Sequence, residues 1–150
     1  MDQSWLDIDL DAIAVNVARF RALGGGRVPV IAVVKADGYG HGAVKVSKAA
    51  LAAGASRLAV ANVREALELR SAGLAAPIHI LGSLLPAEVE TVVEHGLIAP
   101  VNGPELLPLL SRAAVRQETS LQTSSTDLPL ASERDGGADQ RQAILDLAGG

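Results

Sequence analysis

The spacing of apolar and polar positions predicts an alternation of short strands and helices. Trp5, Leu6, Ile8 and Leu10 interleave with Asp7, Asp9 and Asp11, which reads as a short strand with one polar face, and Asp11 is placed to N-cap the next helix. From Ala12 to Leu23, the positions Ile13, Val17, Phe20 and Leu23 recur at three- and four-residue steps, predicting a helix with one apolar face that Gly24, Gly25 and Gly26 stop. Val28 to Val34 is a continuous apolar run without polar alternation, the pattern of a strand covered on both faces in a parallel sheet.

The same grammar then repeats. A second helix spans Ala43 to about Ala53 and closes at Gly54. Leu58 to Ala61 form a strand, Asn62 is the next N-cap, and Glu65 three residues later completes a capping-box-like pair for a helix running to Ala72 and Gly73. A strand at Ile78 to Leu81 precedes a helix that begins near Pro86 and ends with His95 and Gly96. A fifth strand covers Leu97 to Val101. The helix after it is expected to begin near Pro108, because Pro104 and Pro108 cannot both lie in a helix interior.

Strand-then-helix units of roughly 20 to 30 residues predict an α/β fold with a parallel sheet. By spacing alone the sheet is either an open doubly wound one or a TIM-like (β/α) barrel. A full barrel takes about 250 residues. The four or five βα units present therefore predict an incomplete one. Beyond Val115, the stretch RQETSLQTSSTDLPLASERDGGADQ holds seven Ser or Thr and no clear period. The chain accordingly divides into an α/β part at 1–115 and a polar tail at 116–150, expected to be disordered apart from a short helix at Ala143 to Ala148.

Composition narrows the function. Aromatic residues are 2% of the chain, which excludes an aromatic base-stacking platform, and a net charge of −4 argues against nucleic-acid binding. With no cysteine, disulfides, Cys-ligated metal and thiol catalysis are excluded. That charge leaves small molecules or other proteins as the expected partners, and the polar start with no long apolar run predicts neither signal peptide nor membrane span, hence a cytoplasmic protein.

The chemistry concentrates where the first long apolar run ends. Lys35 is one of only three lysines, with Lys45 and Lys48, and it falls at the carboxyl end of a strand, where α/β folds carry their ligand sites. Partly desolvated by Val33 and Val34, it would serve as an amine nucleophile able to form a Schiff base; the alternative is a strand-end lysine reaching to solvent. Asp37-Gly38-Tyr39-Gly40-His41-Gly42 puts three glycines before a helix, which suits either an anion such as phosphate or turn geometry alone. Tyr39 either hydrogen-bonds a ligand phosphate or packs at the loop edge. His41 either donates to a ligand or caps the turn. His79 reads as a satisfied core histidine and His95 as a cation at a helix C-terminus. A nicotinamide-binding sheet is disfavoured, because Gly38, Gly40 and Gly42 lack the G-x-G-x-x-G spacing.

AVVKADGYGHG, residues 32–42, resembles the pyridoxal-phosphate lysine motif of bacterial alanine racemases, and the resemblance runs through WLDIDLDAIAVNV, LAVANVREALELRSAG and PIHILGSLLPAEVETVVEHGLIAPVN, about residues 4–115. It implies a TIM-like barrel with a β-rich domain after it, in a cytoplasmic homodimer that interconverts L- and D-alanine for peptidoglycan synthesis. Lys35 matches the lysine that bonds pyridoxal 5′-phosphate and, once freed, acts as a base on one face of the substrate carbon. Tyr39 matches the tyrosine that contacts the cofactor phosphate. No metal is implied. The chain departs from the family after Val115: no lysine occurs beyond Lys48, Tyr39 is the only tyrosine, and the family's second base, a tyrosine of the second domain, has no counterpart. The departure is expected of a truncated or frame-shifted product. A non-catalytic pyridoxal-phosphate-binding protein and an inactive racemase fragment are the rival expectations.

Overall fold

Four short strands, β1 (Ile31–Val33), β2 (Arg57–Val60), β3 (Ile78–Ile80) and β4 (Leu97–Ile98), form one parallel sheet in the order β1-β2-β3-β4 in a computed structural model that describes residues 5–126. The chain divides into compact units at 1–119 and 120–150, and within the second only residues 120–126, the end of a helix, are described. Helix α1 (Leu10–Leu23) precedes β1. The turn α2 (Lys35–Gly40) and helix α3 (Ala43–Ala52) come after β1, α4 (Val63–Ser71) after β2, α5 (Val89–Glu94) after β3, and α6 (Leu106–Thr126) after β4.

Strand order decides between the two sheets the spacing allows. A doubly wound sheet reverses its order at a switch point. Here each strand lies beside its predecessor, so right-handed crossovers all step in one direction and leave their helices on one face. That is the winding of a (β/α) barrel, of which this chain holds a part.

Register sorts the sheet's side chains into two faces. Ala32, Leu58, Ile78 and Leu97 stand side by side, as do Val33, Ala59, His79 and Ile98. Alternation sends the two rows to opposite faces. The first row, with Val34, Val60 and Ile80, joins the core with Val63, Ala66, Leu69, Val89, Val92 and Leu106 from the helices. The second row forms the other face, on which Val33 and Ile98 remain 41% and 37% exposed.

Several expectations change at the edges of this sheet. The apolar run from Val28 to Val34 yields a strand only at Ile31–Val33, and Val28 and Ile31 are exposed rather than covered on both faces. Among the described residues β1 is an edge strand, with no strand on its far side to extend the ladder. The predicted strand around Trp5 to Leu10 does not form among the described residues: Trp5 and Leu6 are exposed, and α1 begins at Leu10. Its N-cap is Asp9 rather than Asp11, with Asp9 Oδ1 accepting the Ala12 N–H at 2.9 Å. α1 packs on α3, yet it buries no residue fully, and Phe20 and Leu23 on its apolar face lie in solvent.

β4 ends at Ile98 instead of Val101, because Pro100 has no N–H to give a ladder. α6 starts at Leu106, which makes Pro108 its third residue, still in the first turn where backbone N–H groups lack helical partners. It runs past Val115 to Thr126, so the first part of the predicted polar tail is helical. Leu106 and Ala113 anchor its first turns in the core, and propagation from an anchored helix adds one hydrogen bond per residue. The rest of the tail, including Ala143 to Ala148, lies outside the described residues.

The opposite end of the sheet is tied by Arg70. Its guanidinium donates to the carbonyls of His95 (3.1 Å), Leu74 and Ala76 (2.7 Å each) and Gly96 (3.3 Å), clamping the segments that lead into β3 and β4. Partial burial holds its pKa below the usual arginine value.

Candidate functional site

The chain leaves β1 at Val34, whose N–H still reaches the Ala59 carbonyl at 2.8 Å, and Lys35 is the next residue. It thus stands at the carboxyl end of the sheet, as its position after the apolar run predicts. The turn beyond it is not a right-handed helix. Ala36, Asp37, Gly38 and Tyr39 all have φ between +51° and +61° and ψ between +36° and +52°, one turn of left-handed helix. Three of the four are not glycine, and each such residue costs about 1–2 kcal/mol in this conformation.

Such strain persists only where the surroundings over-determine it, and here three side chains do so. Asp37 Oδ1 accepts the Ala43 N–H at 2.8 Å, tying the turn to the first residue of α3. His41 Nδ1 lies 3.0 Å from the carbonyls of both Gly38 and Tyr39; since carbonyls only accept, Nδ1 carries the proton and His41 caps the turn. Glu65 Oε1 accepts the Ala36 N–H at 3.0 Å. Gly38 is the crowded member: it is buried, and a Cβ there would sit 3.3 Å from the Ala43 backbone.

The turn leaves Lys35 half-buried and Tyr39 exposed, four residues apart in sequence at its two ends. Among the described residues, the Lys35 amine forms no ion pair or hydrogen bond, and the Tyr39 hydroxyl has no partner. Lys45 and Lys48 lie exposed along α3. A cleft of about 590 Å³ opens beside the turn, lined by Leu6, Asp7, Asp37, His41, Lys45 and Glu68 among others, and it includes neither Lys35 nor Tyr39. Four strands do not enclose a barrel interior, so the two are presented at an open sheet end.

Neighbouring strand ends are fastened to the same region. Asn62 Oδ1 accepts the Glu65 N–H at 3.0 Å, the half of the capping box that the spacing predicts. The other half differs: the Glu65 carboxylate turns to the Ala61 N–H, at 2.8 Å, and to Ala36. Gly82 N–H reaches the Ala61 carbonyl at 2.9 Å, and a Cβ on Gly82 would lie 2.6 Å from that oxygen, so only glycine allows the end of β3 this close to β2. Asn102 Oδ1 accepts the Leu84 N–H at 3.0 Å and its Nδ2 donates to Ser83 Oγ at 3.3 Å, joining the loops after β3 and β4. The bridging roles of Glu65 and Asn102 are not read from the pattern. An Asn directly after an apolar run, and a Glu three residues after such an Asn, are the only signals, and helix capping explains both equally well.

His79 is half-buried on the second face of the sheet, one register row before the strand ends, with Arg57 Nη1 3.3 Å from its Nε2. Burial first, and the Arg57 charge second, lower its pKa. His95 is the C-cap residue of α5, as its position predicts.

Residues 8–124 match the family model described as alanine racemase, N-terminal domain. The chain is 41% identical over 113 residues to an alanine racemase of Halothermothrix orenii, covering 75% of this chain and 30% of that protein. It is 40% identical over 129 residues to one of Nostoc sp., covering 85% and 32%. Among solved structures, alanine racemase from the D-cycloserine-producing Streptomyces lavendulae superposes with a TM-score of 0.68 at 38% identity, over 74% of this chain and 29% of that one. The chain spans about a third of the length of these curated relatives. A barrel-type sheet whose first strand ends in Lys35 and a left-handed turn, matched by that family model over most of its length, makes this chain a member of the alanine racemase family, corresponding to its N-terminal domain.

Proposed function

We propose that this chain provides the pyridoxal 5′-phosphate lysine and phosphate-contacting tyrosine of a cytoplasmic alanine racemase, an isomerase supplying D-alanine for peptidoglycan. The observation that carries this reading is the pair of polar ends left unclaimed around one strained turn, the Lys35 amine and the Tyr39 hydroxyl. The donor set suits the cofactor: an amine for its aldehyde carbon, a phenol hydroxyl for a phosphate oxygen, and glycines at 40 and 42 with open space around them. When bound, the cofactor supplies an electron sink that acidifies the Cα–H of an amino acid.

Within that reading Lys35 Nζ would be the group that holds the cofactor and, as a free amine, would take the Cα proton on one face of the substrate. The Tyr39 hydroxyl donates to phosphate, and the left-handed turn holds the two residues in fixed relation. The part matched by the family model, residues 8–124, carries both residues. The complete assembly, a homodimer by family likeness, brings the base for the opposite face.

A second reading, cofactor binding without turnover, is favoured by one observation: Tyr39, four residues from Lys35 in sequence, is the only tyrosine among residues 1–150, so these residues supply no second phenol. Incubation of the chain with pyridoxal phosphate, borohydride reduction and peptide mapping test the shared premise. Label confined to Lys35 and lost in Lys35→Ala is expected; no label, or equal label on Lys35, Lys45 and Lys48, overturns it. Conversion of L- to D-alanine by the unreduced chain, alone and with the remainder of a relative's barrel and second domain, separates the two readings.

A further inference from the structure

The carboxylate of Glu65 is a junction between two strand ends, and we infer that it is a positioning residue for Lys35, an inference that rests on the proposed function. Glu65 lies in the first turn of α4, and its own N–H is held by Asn62. Its two oxygens accept from different strands: Oε2 from the Ala61 N–H at 2.8 Å, at the end of β2, and Oε1 from the Ala36 N–H at 3.0 Å, just past β1. The Ala36 N–H belongs to the peptide bond that joins Lys35 to the turn. Fixing that peptide plane fixes the direction in which the Lys35 Cα enters the left-handed turn.

The need for an acceptor there comes from the geometry. Ala36 is the first left-handed residue of the turn, and the opening N–H groups of any helical turn have no partner inside it. Asp37 and His41 fasten the far side of the turn, to α3 and to its own carbonyls, and neither touches the Lys35–Ala36 peptide. Among the described residues, Glu65 is the side chain that bonds it. A carboxylate is suited to the place because it accepts at both oxygens; an amide of the same shape accepts at one and donates at the other, and an aspartate is one methylene short of spanning both strands.

The test compares the 150-residue chain with Glu65→Gln, Glu65→Ala and, as a control for helix capping, Asn62→Ala. Amide exchange is followed at Ala36 and Ala61, and the share of borohydride-fixed pyridoxal phosphate on Lys35 against Lys45 and Lys48 is followed across pH. For Glu65→Ala we expect exchange at Ala36 to rise tenfold or more and the Lys35 share to fall towards an even split. Glu65→Gln, which preserves the shape, is expected to fall between. Asn62→Ala is expected to lower the melting midpoint and leave the Lys35 share unchanged. Unchanged exchange at Ala36 in Glu65→Ala, or an equal loss of Lys35 selectivity in Asn62→Ala, overturns the positioning role. If the unaltered chain shows no Lys35 selectivity, the cofactor reading fails instead, and exchange at Ala36 alone decides whether Glu65 holds the turn.

Discussion

At the scale of the residue, polar side chains in this fold serve mainly to satisfy backbone groups at strand ends. Arg70 bonds four carbonyls at the end of the sheet opposite Lys35. Arg70→Met retains the aliphatic stem and removes the donors, and charge-assisted bonds of this kind predict a loss of about 2–3 kcal/mol, measurable by urea unfolding. His79 gives a pH signature. Its folded pKa lies below the unfolded value, so near and below 6.5 the unfolded chain binds the extra proton first, and the stability present above that pH is lost as pH falls. Protonated Nε2 also cannot accept from Arg57. The stability of the chain should therefore decline from pH 7 to 5, and His79→Gln should flatten that slope; an equal slope in both would count against the assignment.

At the scale of the element, the left-handed turn α2 is the costly piece. Its sequence reads as a glycine-rich loop, and nothing in the spacing reveals that Ala36, Asp37 and Tyr39 share the conformation of Gly38. The turn forms because Asp37, His41 and Glu65 meet its donors and acceptors, and two of those contacts depend on neighbouring helices. Gly38→Ala should cost at least about 1–2 kcal/mol from its positive φ, and more from the 3.3 Å approach to Ala43. Thermal melts would read the loss, and label on Lys35 should fall with it. By contrast, Asp9→Ala removes an ordinary N-cap far from Lys35 in sequence, with an expected cost of about 1 kcal/mol and no change in Lys35 labelling.

At the scale of the molecule, the sheet is open. Among the described residues β1 has an unpaired edge, and Val28, Ile31, Val33 and Ile98 are exposed apolar side chains. Open edges of this kind template association. The chain should self-associate with rising concentration, and Ile31→Lys, a charge on the edge strand, should shift the equilibrium towards monomer without lowering the melting midpoint. Size-exclusion chromatography across a concentration series checks this; a mutant that associates like the parent would place the interface elsewhere.

The sequence by itself determined the alternation of β1 to β4 with the helices that follow them, the parallel α/β class, the N-cap Asn62 and the place of Lys35 at a strand end, because each rests on local periodicity, capping chemistry or the single apolar run before the lysine; the strand it also predicts around Trp5 to Leu10 does not form among the described residues. It also marked Tyr39 and His41, while leaving open whether each faced a ligand or the turn. Tertiary structure decided what local pattern cannot carry. The winding of the sheet depends on which strand lies beside which. The short extents of β1 and β4 depend on absent neighbours and on Pro100. The left-handed turn and the two-strand bridge of Glu65 depend on groups 29 residues apart in the chain whose hydrogen bonds form only once β1 and β2 are paired.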